Sequence, residues 1–425
     1  VKLHHQIFAA IFFAAITGIL LPESSHLGGI TLLSLFDGIG KIFLNALKML
    51  VVPLIVTAIM SSLNSIGQED NLGRTGWKIG AYYALSSALA VCIGLVVTNI
   101  IRPGISHGEP VREQLGLVAD PTAVLSQVQQ HSASDFAHIF FQFLPPNLFA
   151  AAAQEQMLGL IVFSLLFGWY MQKVQGAAGE YLRHTIDGIY ETMVSITMLV
   201  IRFTPIGVFG LIASTVMRTG FSALAPLLWF FCTVLLALFI HAFIALPLAV
   251  KLIAKRSPLR LLKALTPALL TAFSTSSSSA TLPLTMECTE KGANVPKKFS
   301  SLMLPLGATV NMNGTALYEC AAVIFIAQAY GLDLSLGMQA TIVFTAMITS
   351  IGVAGIPAAS LVAITLILGI VGLPAEAIGL ILVTDRILDM CRTSVNIWGD
   401  VVGTVIIARS EGAEGVLMPS PQQYT

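Results

Sequence analysis

The sequence predicts an all-α polytopic membrane protein with eight transmembrane helices and two re-entrant helical hairpins in an inverted repeat. Three observations predict it. The 425 residues are 56% hydrophobic and only 10% charged, with a mean hydropathy of +0.84, whereas roughly a quarter of the residues in a soluble domain are charged. Apolar runs long enough to cross a bilayer recur along the first part of the chain. In the last third such runs are broken at their centres by polar motifs. Lys plus Arg equals Asp plus Glu, 22 each, so no basic surface points to nucleic acid. The cysteines, Cys92, Cys232, Cys288, Cys320 and Cys391, form no Cys-x-x-Cys pair, which argues against a disulfide framework or a zinc site.

Runs near residues 6–22, 35–66, 77–101, 147–172, 189–217 and 223–250 read as six spanning helices. The first has no small-residue cleavage site behind it and reads as a permanent helix. Pro53, Pro205 and Pro247 fall inside these runs as expected kinks. The segment from Arg102 to Pro146 carries Glu109, Glu113, Asp120 and Asp135 against Arg102 and Arg112 and reads as extracytoplasmic. Lys251, Lys255, Arg256, Arg260 and Lys263 form a basic run without an acid, the strongest positive-inside signal in the chain. Three crossings separate these segments, and three more separate the first loop from Lys2, so an inside amino terminus satisfies both.

Residues 264–286 are apolar at both ends but hold Ser274-Thr-Ser-Ser-Ser-Ser-Ala-Thr281 between them. Each half is too short to span, and both flanks are basic, which predicts a re-entrant hairpin entered from the cytoplasm. Residues 298–329 cross outward as a helix interrupted at Gly307 and at Asn311-Met-Asn-Gly-Thr315, where Gly and Asn favour an unwound turn. Residues 337–372 repeat the hairpin design around Gly352-Val-Ala-Gly-Ile-Pro-Ala-Ala-Ser360, and residues 378–408 cross back. Hairpin, helix, hairpin, helix, entered from opposite faces, is an inverted repeat with its ligand site at the midplane.

Asp385, Asp389, Arg392, Asn396 and Asp400 are spaced 4, 3, 4 and 4 apart in an otherwise apolar helix. They share a stripe roughly 80° wide. Ionisable groups at membrane depth cost kilocalories and normally face a cavity. Three acids and one guanidinium suit a zwitterion plus cations. An internal ion-pair ladder gluing helices would explain the pairing but not the hairpins. The serine tract alone is equally a linker or a small-residue contact; at a hairpin tip its hydroxyls and free N–H groups suit a carboxylate. Glu319, one turn beyond Thr315, reads as a titratable group. Asn313-Gly-Thr315 matches a glycosylation sequon but lies inside an apolar crossing. His241 reads as structural.

The serine-rich tip, NMNGT at 311–315, AGIP at 354–357 and DRILDMCRTSVNIWGD at 385–400 together resemble the glutamate/aspartate cation symporters, the family that includes the excitatory amino acid transporters. The likeness covers nearly the whole chain. It implies a homotrimer of multi-pass protomers in the cell membrane, both termini cytoplasmic. Each protomer would have a fixed scaffold and a mobile transport domain that moves like an elevator. By similarity, residues 1–76 are scaffold helices one and two, 77–101 are helix three of the transport domain, and 102–145 are the extracytoplasmic loop. Residues 146–221 are scaffold helices four and five, and 222–410 complete the transport domain, with hairpins at 258–292 and 334–372. The tail, 411–425, reads as disordered.

The resemblance also assigns roles. Arg392 matches the arginine that grips the side-chain carboxylate of an acidic amino acid, and Asp389 the acid that binds its ammonium. Thr393, Asn396 and Thr315 complete the contacts, Ser277 and Ser278 with the tip backbone hold the main-chain carboxylate, and Gly355 and Ile356 belong to the extracellular gate. Asp400, Gly307, Asn311 and Asn396 match one sodium site; Thr309, Met312, Ser350, Ile351 and Val353 match a second. A third joins Tyr83, Ser86, Ser87 and Asn311 to an aspartate that is Asn313 here, so this site is expected to bind sodium weakly, since an amide brings no charge. Two further arginine positions of the family are Ser276 and Met390 here. Glu319 matches the proton-carrying glutamate of the excitatory branch. A neutral amino acid or dicarboxylate symporter of the same fold remains open. An ion channel would explain a polar membrane interior, but the sequence has no ring motif or TVGYG-like filter, and a protease dyad of Asp389 and Asp400 would be about 16 Å apart on one helix. No enzyme is expected.

Overall fold

The computed structural model describes residues 3–22, 24–27, 29–66, 73–115, 144–153, 157–219, 224–352, 360–374 and 377–418. These are mostly helical. α1 (Leu3–Leu20) leads through a short hairpin, β1 (His26–Leu27) with β2 (Ile30–Thr31), into α2 (Leu32–Ile66). α3 (Gly73–Ile101) is followed by a second such hairpin, β3 (Ile105–Ser106) with β4 (Glu109–Pro110). These turns are the departure from an all-α chain among the described residues.

α4 (Leu148–Ala153), α5 (Met157–Met171), α6 (Gly176–Arg202) and α7 (Thr204–Thr219) follow. α6 starts at residue 176 rather than near 189, because its first half is amphipathic and contains no unbroken apolar run. α6 and α7 meet at 48° beside Pro205, where proline removes a helix hydrogen bond and crowds the preceding turn. α8 (Leu224–Ile240) continues through a π turn at His241–Ala245, α9 (Leu246–Ala249) and a second π turn at Val250–Ala254. Pro247 lies between the two π turns, a place where the regular ladder is interrupted.

α10 (Pro258–Thr275) and α11 (Ser278–Glu287) pack on each other and join at Ser276. α12 (Lys297–Val310) and α13 (Asn313–Ala329) are halves of one apolar stretch, broken at Asn311 and Met312, whose ψ values of 62° and 64° are not helical. The expected interruption at Gly307 is not there. Gly307 is helical, and its missing Cβ serves packing: a Cβ would lie 2.5 Å from Asp400 Oδ1. α14 (Leu336–Gly352), α15 (Ser360–Ile370) and α16 (Ile378–Ser410) complete the helices. Val353, Gly355 and Ile356 lie outside the described residues.

Residues 411–418 of the tail, which is expected from the sequence to be disordered over 411–425, pack onto the fold. Val416 and Leu417 are buried, Leu417 N donates to Ala293 O at 2.9 Å, and Arg256 donates to the carbonyls of Glu414 and Val416, both at 2.7 Å.

Contacts sort the helices into two groups. α2 touches α5, α6 and α7, and α1 lies against α7. In the other group α13 touches α3, α8, α14, α15 and α16, while α16 also touches α10 and α12. Every residue of α13 is buried, so its apolar residues lie all round rather than on one stripe, and its few polar ones, Asn313, Thr315, Glu319 and Gln328, are buried with them. The groups meet where α7 touches α16 and α2 touches α12, α14 and α15. Among the described residues, three helical stretches are long and apolar enough to cross a membrane, 75–101, 225–254 and 297–329; counting the bent α6–α7 pair makes four.

Candidate functional site

Burying a charge costs several kcal/mol unless it is paired, and α16 largely pairs its own. Arg392 is wholly buried. Its Nη2 donates to Asp385 Oδ1 and Asp389 Oδ1, each at 3.0 Å. Its Cζ lies 3.9 Å from the centroid of the Tyr318 ring on α13, close enough for a cation–π interaction. Nε and Nη1 have no hydrogen-bond partner among the described residues. Arg386, outside the predicted stripe, places Nη1 3.6 Å from Asp389 Oδ2. Two carboxylates and two guanidiniums therefore share about two turns of α16. Arg386 and Tyr318 were not among the residues the sequence singled out.

One turn further on, α16 serves the helix break. The first N–H groups of a helix need acceptors, and the residue at the start of α13, Met312, makes no side-chain cap. Asn396 supplies one from across the site: Oδ1 accepts from Gly314 N at 2.8 Å and Thr315 N at 3.3 Å, and Nδ2 donates to Thr315 Oγ1 at 3.0 Å. Gly314 makes this approach possible, since a Cβ there would sit 2.9 Å from the Arg392 carbonyl oxygen. Thr393 is spent on its own helix, Oγ1 donating to Asp389 O at 2.8 Å.

A further turn on, Asp400 Oδ1 accepts from Asn311 Nδ2 at 2.8 Å, and Asn311 Oδ1 accepts from Ser86 Oγ at 3.1 Å. Ser87 Oγ donates to Asn313 Oδ1 at 3.0 Å; Asn313 Nδ2 is buried without a partner among the described residues. Ser86, Ser87, Asn311, Asn313, Gly307 and Asp400 thus converge from α3, the break and α16. The side chains offer oxygen donors with one carboxylate among them, the chemistry of a hard cation. Tyr83 comes no closer through its hydroxyl, which donates to Met303 O at 2.7 Å. Thr309 and Ser350 bond back to Leu306 O and Met347 O in their own helices. Met312 is buried at the break, and nothing is described of the Ile351 side chain.

Glu319 is fully buried on α13, its Oε2 accepting from Thr349 Oγ1 of α14 at 2.9 Å, with Oε1 unpartnered among the described residues. Thr349 was not anticipated, because only tertiary packing joins positions so far apart in sequence. At the α10–α11 junction Ser276 has a left-handed φ of 52° and a buried Oγ without a partner among the described residues. Ser277 caps α11 by accepting from Ala280 N at 3.2 Å, and Ser278 is buried. Ser394 Oγ of α16 donates to Leu269 O of α10 at 3.1 Å. His241 is buried with both ring nitrogens unpartnered among the described residues.

Polar groups gathered at helix breaks inside an apolar bundle define a helical membrane protein with a ligand or ion path in its interior. Comparison with known proteins gives the family: residues 3–410 match the sodium:dicarboxylate symporter family, and the chain belongs to it. It is 34% identical over 405 residues to the proton/glutamate-aspartate symporter of Escherichia coli (strain K12), covering 94% of this chain and 92% of that one. Identity to the proton/sodium-glutamate symport protein of Bacillus caldotenax is 33% over 404 residues, 95% of this chain and 94% of the relative. To excitatory amino acid transporter 3 of Homo sapiens it is 32% over 443 residues, 94% and 84%. Symporters are carriers rather than enzymes.

Proposed function

We propose that this protein is a secondary active transporter that couples sodium, with a proton on Glu319, to the uptake of L-glutamate or L-aspartate. The observation that carries the reading is Arg392, a buried guanidinium whose Nε and Nη1 are unpartnered among the described residues, beside Asp389. Guanidinium recognises a carboxylate through charge-assisted hydrogen bonds, and Asp389 supplies the opposite charge for an ammonium group. Thr315, Thr393 and Asn396 frame the substrate, Ser277 and Ser278 hold its main-chain carboxylate, and Gly355 and Ile356 gate it. Sodium is carried by Asp400, Asn311, Asn396 and Gly307, and by the set Thr309, Met312, Ser350, Ile351 and Val353. The set with Tyr83, Ser86, Ser87 and Asn313 binds it weakly.

The same reading has eight spanning helices, two re-entrant hairpins, cytoplasmic termini in the cell membrane and a homotrimeric assembly. Movement is by elevator: α1, α2 and α4–α7 stay fixed while α3 and α8–α16 travel. The separate packing of these two groups supports that division.

Uptake of labelled aspartate into proteoliposomes, with sodium and proton gradients imposed one at a time, tests the proposal. Accumulation should follow the sodium gradient; flux that only equilibrates would indicate a channel. Equal competition by serine or alanine would refute an acidic substrate. A dicarboxylate without an amine is the second reading, favoured by Arg386, whose charge beside Asp389 offsets the one an ammonium would need. Succinate displacing aspartate at equal concentration would select it.

A further inference from the structure

The basic run that orients the chain also builds a cavity. Lys251 lies in the second π turn after α8, Lys255 ends that rod with a left-handed φ of 53°, and Ser257 caps α10. Lys251, Lys255, Arg256, Ser257 and Arg260, with Leu417 and Met418 of the tail, line an open surface cavity of about 460 Å³, within the size range of small-ligand sites. Among the described residues no carboxylate lines it. Elsewhere Lys78 pairs with Glu411, Lys41 and Arg218 with Asp37, and Lys291 with Glu287. Among the described residues no ion pair forms on Lys251, Lys255 or Arg260. Arg256 is different, being bound to the carbonyls of Glu414 and Val416, so the ordered tail fixes one wall.

We propose that this cavity binds the phosphate of an anionic phospholipid headgroup. Three cations without a carboxylate repel one another and are relieved by an anion. The residues interleaved with them decide the source of that anion. Leu252 and Ile253 are each 63% exposed and Leu259 is 71% exposed, an apolar flank that suits acyl chains in a membrane protein. A basic pocket between helices on the positive-inside face has the chemistry of headgroup recognition. The site ties the end of α8 and the start of α10 to the tail that follows α16, and it does not depend on the identity of the transported solute.

The test compares the full-length parent with Lys251→Gln/Lys255→Gln/Arg260→Gln, leaving Arg256 to hold the tail. A control, Lys291→Gln/Lys297→Gln/Lys298→Gln, removes equal charge at the return end of the same hairpin, from residues that do not line the cavity. Each protein is purified from mixed micelles of phosphatidylcholine and phosphatidylglycerol, and retained lipid is read by native mass spectrometry. The parent and the control should keep phosphatidylglycerol over phosphatidylcholine, and the cavity variant should lose about tenfold or more of it. Equal retention by the cavity variant, or equal loss in the control, would overturn the site, the latter because bulk surface charge would then suffice. Inorganic phosphate is added in a second arm. Displacement of the lipid by phosphate at matching concentration would overturn the lipid assignment in favour of a soluble anion.

Discussion

Replacing Arg392 by Cys separates recognition of charge from everything else the site does. The substitution removes two 3.0 Å charge-assisted bonds from a fully buried guanidinium. Asp389 keeps Arg386 at 3.6 Å, whereas Asp385 loses the arginine it pairs with. Removing one partner of a buried pair costs about 3–5 kcal/mol, so Arg392→Cys should fold less stably, and Asp385→Asn/Arg392→Cys should recover much of the loss by deleting the stranded charge. Binding follows a different rule. An aspartate side chain that loses its charged partner forfeits about 2–4 kcal/mol, or roughly 30- to 700-fold in affinity, while serine, lacking that carboxylate, loses little. The assay is competition of unlabelled aspartate and serine against a labelled ligand on the purified double variant, with a thermal melt to show that it is folded. If the folded double variant holds aspartate within about threefold of the parent, Arg392 is not the selector.

Glu319→Gln should abolish uptake driven by an imposed pH gradient and leave sodium dependence intact; a variant with unchanged pH-gradient drive places the proton elsewhere. Arg386→Gln should leave Asp389 more negative, tightening an amine-bearing substrate and weakening a simple dicarboxylate. The ratio of aspartate to succinate inhibition should move by up to about fivefold, from an ion pair worth at most about 1 kcal/mol. An unmoved ratio means that Arg386 only packs. Asn313→Asp should steepen the slope of log substrate affinity against log sodium, because a carboxylate would join the oxygens of Ser87 and Asn311; coincident slopes would show that charge at this position does not matter.

Much of the site was legible because α16 repeats polarity at the helical period. Asp385, Asp389, Arg392, Asn396 and Asp400 declare themselves in an apolar background. Arg386 did not, because it lies about 40° outside that stripe around the helix and reaches Asp389 only by the length of its side chain. Tyr318 and Thr349 were silent for another reason: an aromatic ring and a threonine in apolar helices acquire meaning only when α13 and α14 pack. The helix break was readable from Asn311-Met-Asn-Gly314, but Gly307 was misread, since a glycine that admits Asp400 looks in sequence like one that unwinds the backbone. Amphipathic α6 escaped a reading based on unbroken apolar runs. Composition misjudged the tail, where Val416 and Leu417 bury and backbone carbonyls bind Arg256.

The break between α12 and α13 is more than a place where ligands fit. A continuous helix hides its amides and carbonyls in its own ladder, and an interruption at membrane depth persists only where other groups satisfy them. Here α16 supplies those groups from consecutive turns: Asn396 takes the amides of Gly314 and Thr315, and Asp400 holds Asn311 at the other side of the break. Arg392 stands one turn before Asn396, with its carbonyl against Gly314. A displacement of α16 therefore alters the Arg392 turn and the oxygen cluster together. Coupling between two ligands is a free energy that each exerts equally on the other, and it needs a structural element that both sites bias. In this fold that element is the contact of one helix with one break. The same groups that make the break tolerable are those through which an ion and a substrate would each sense the other.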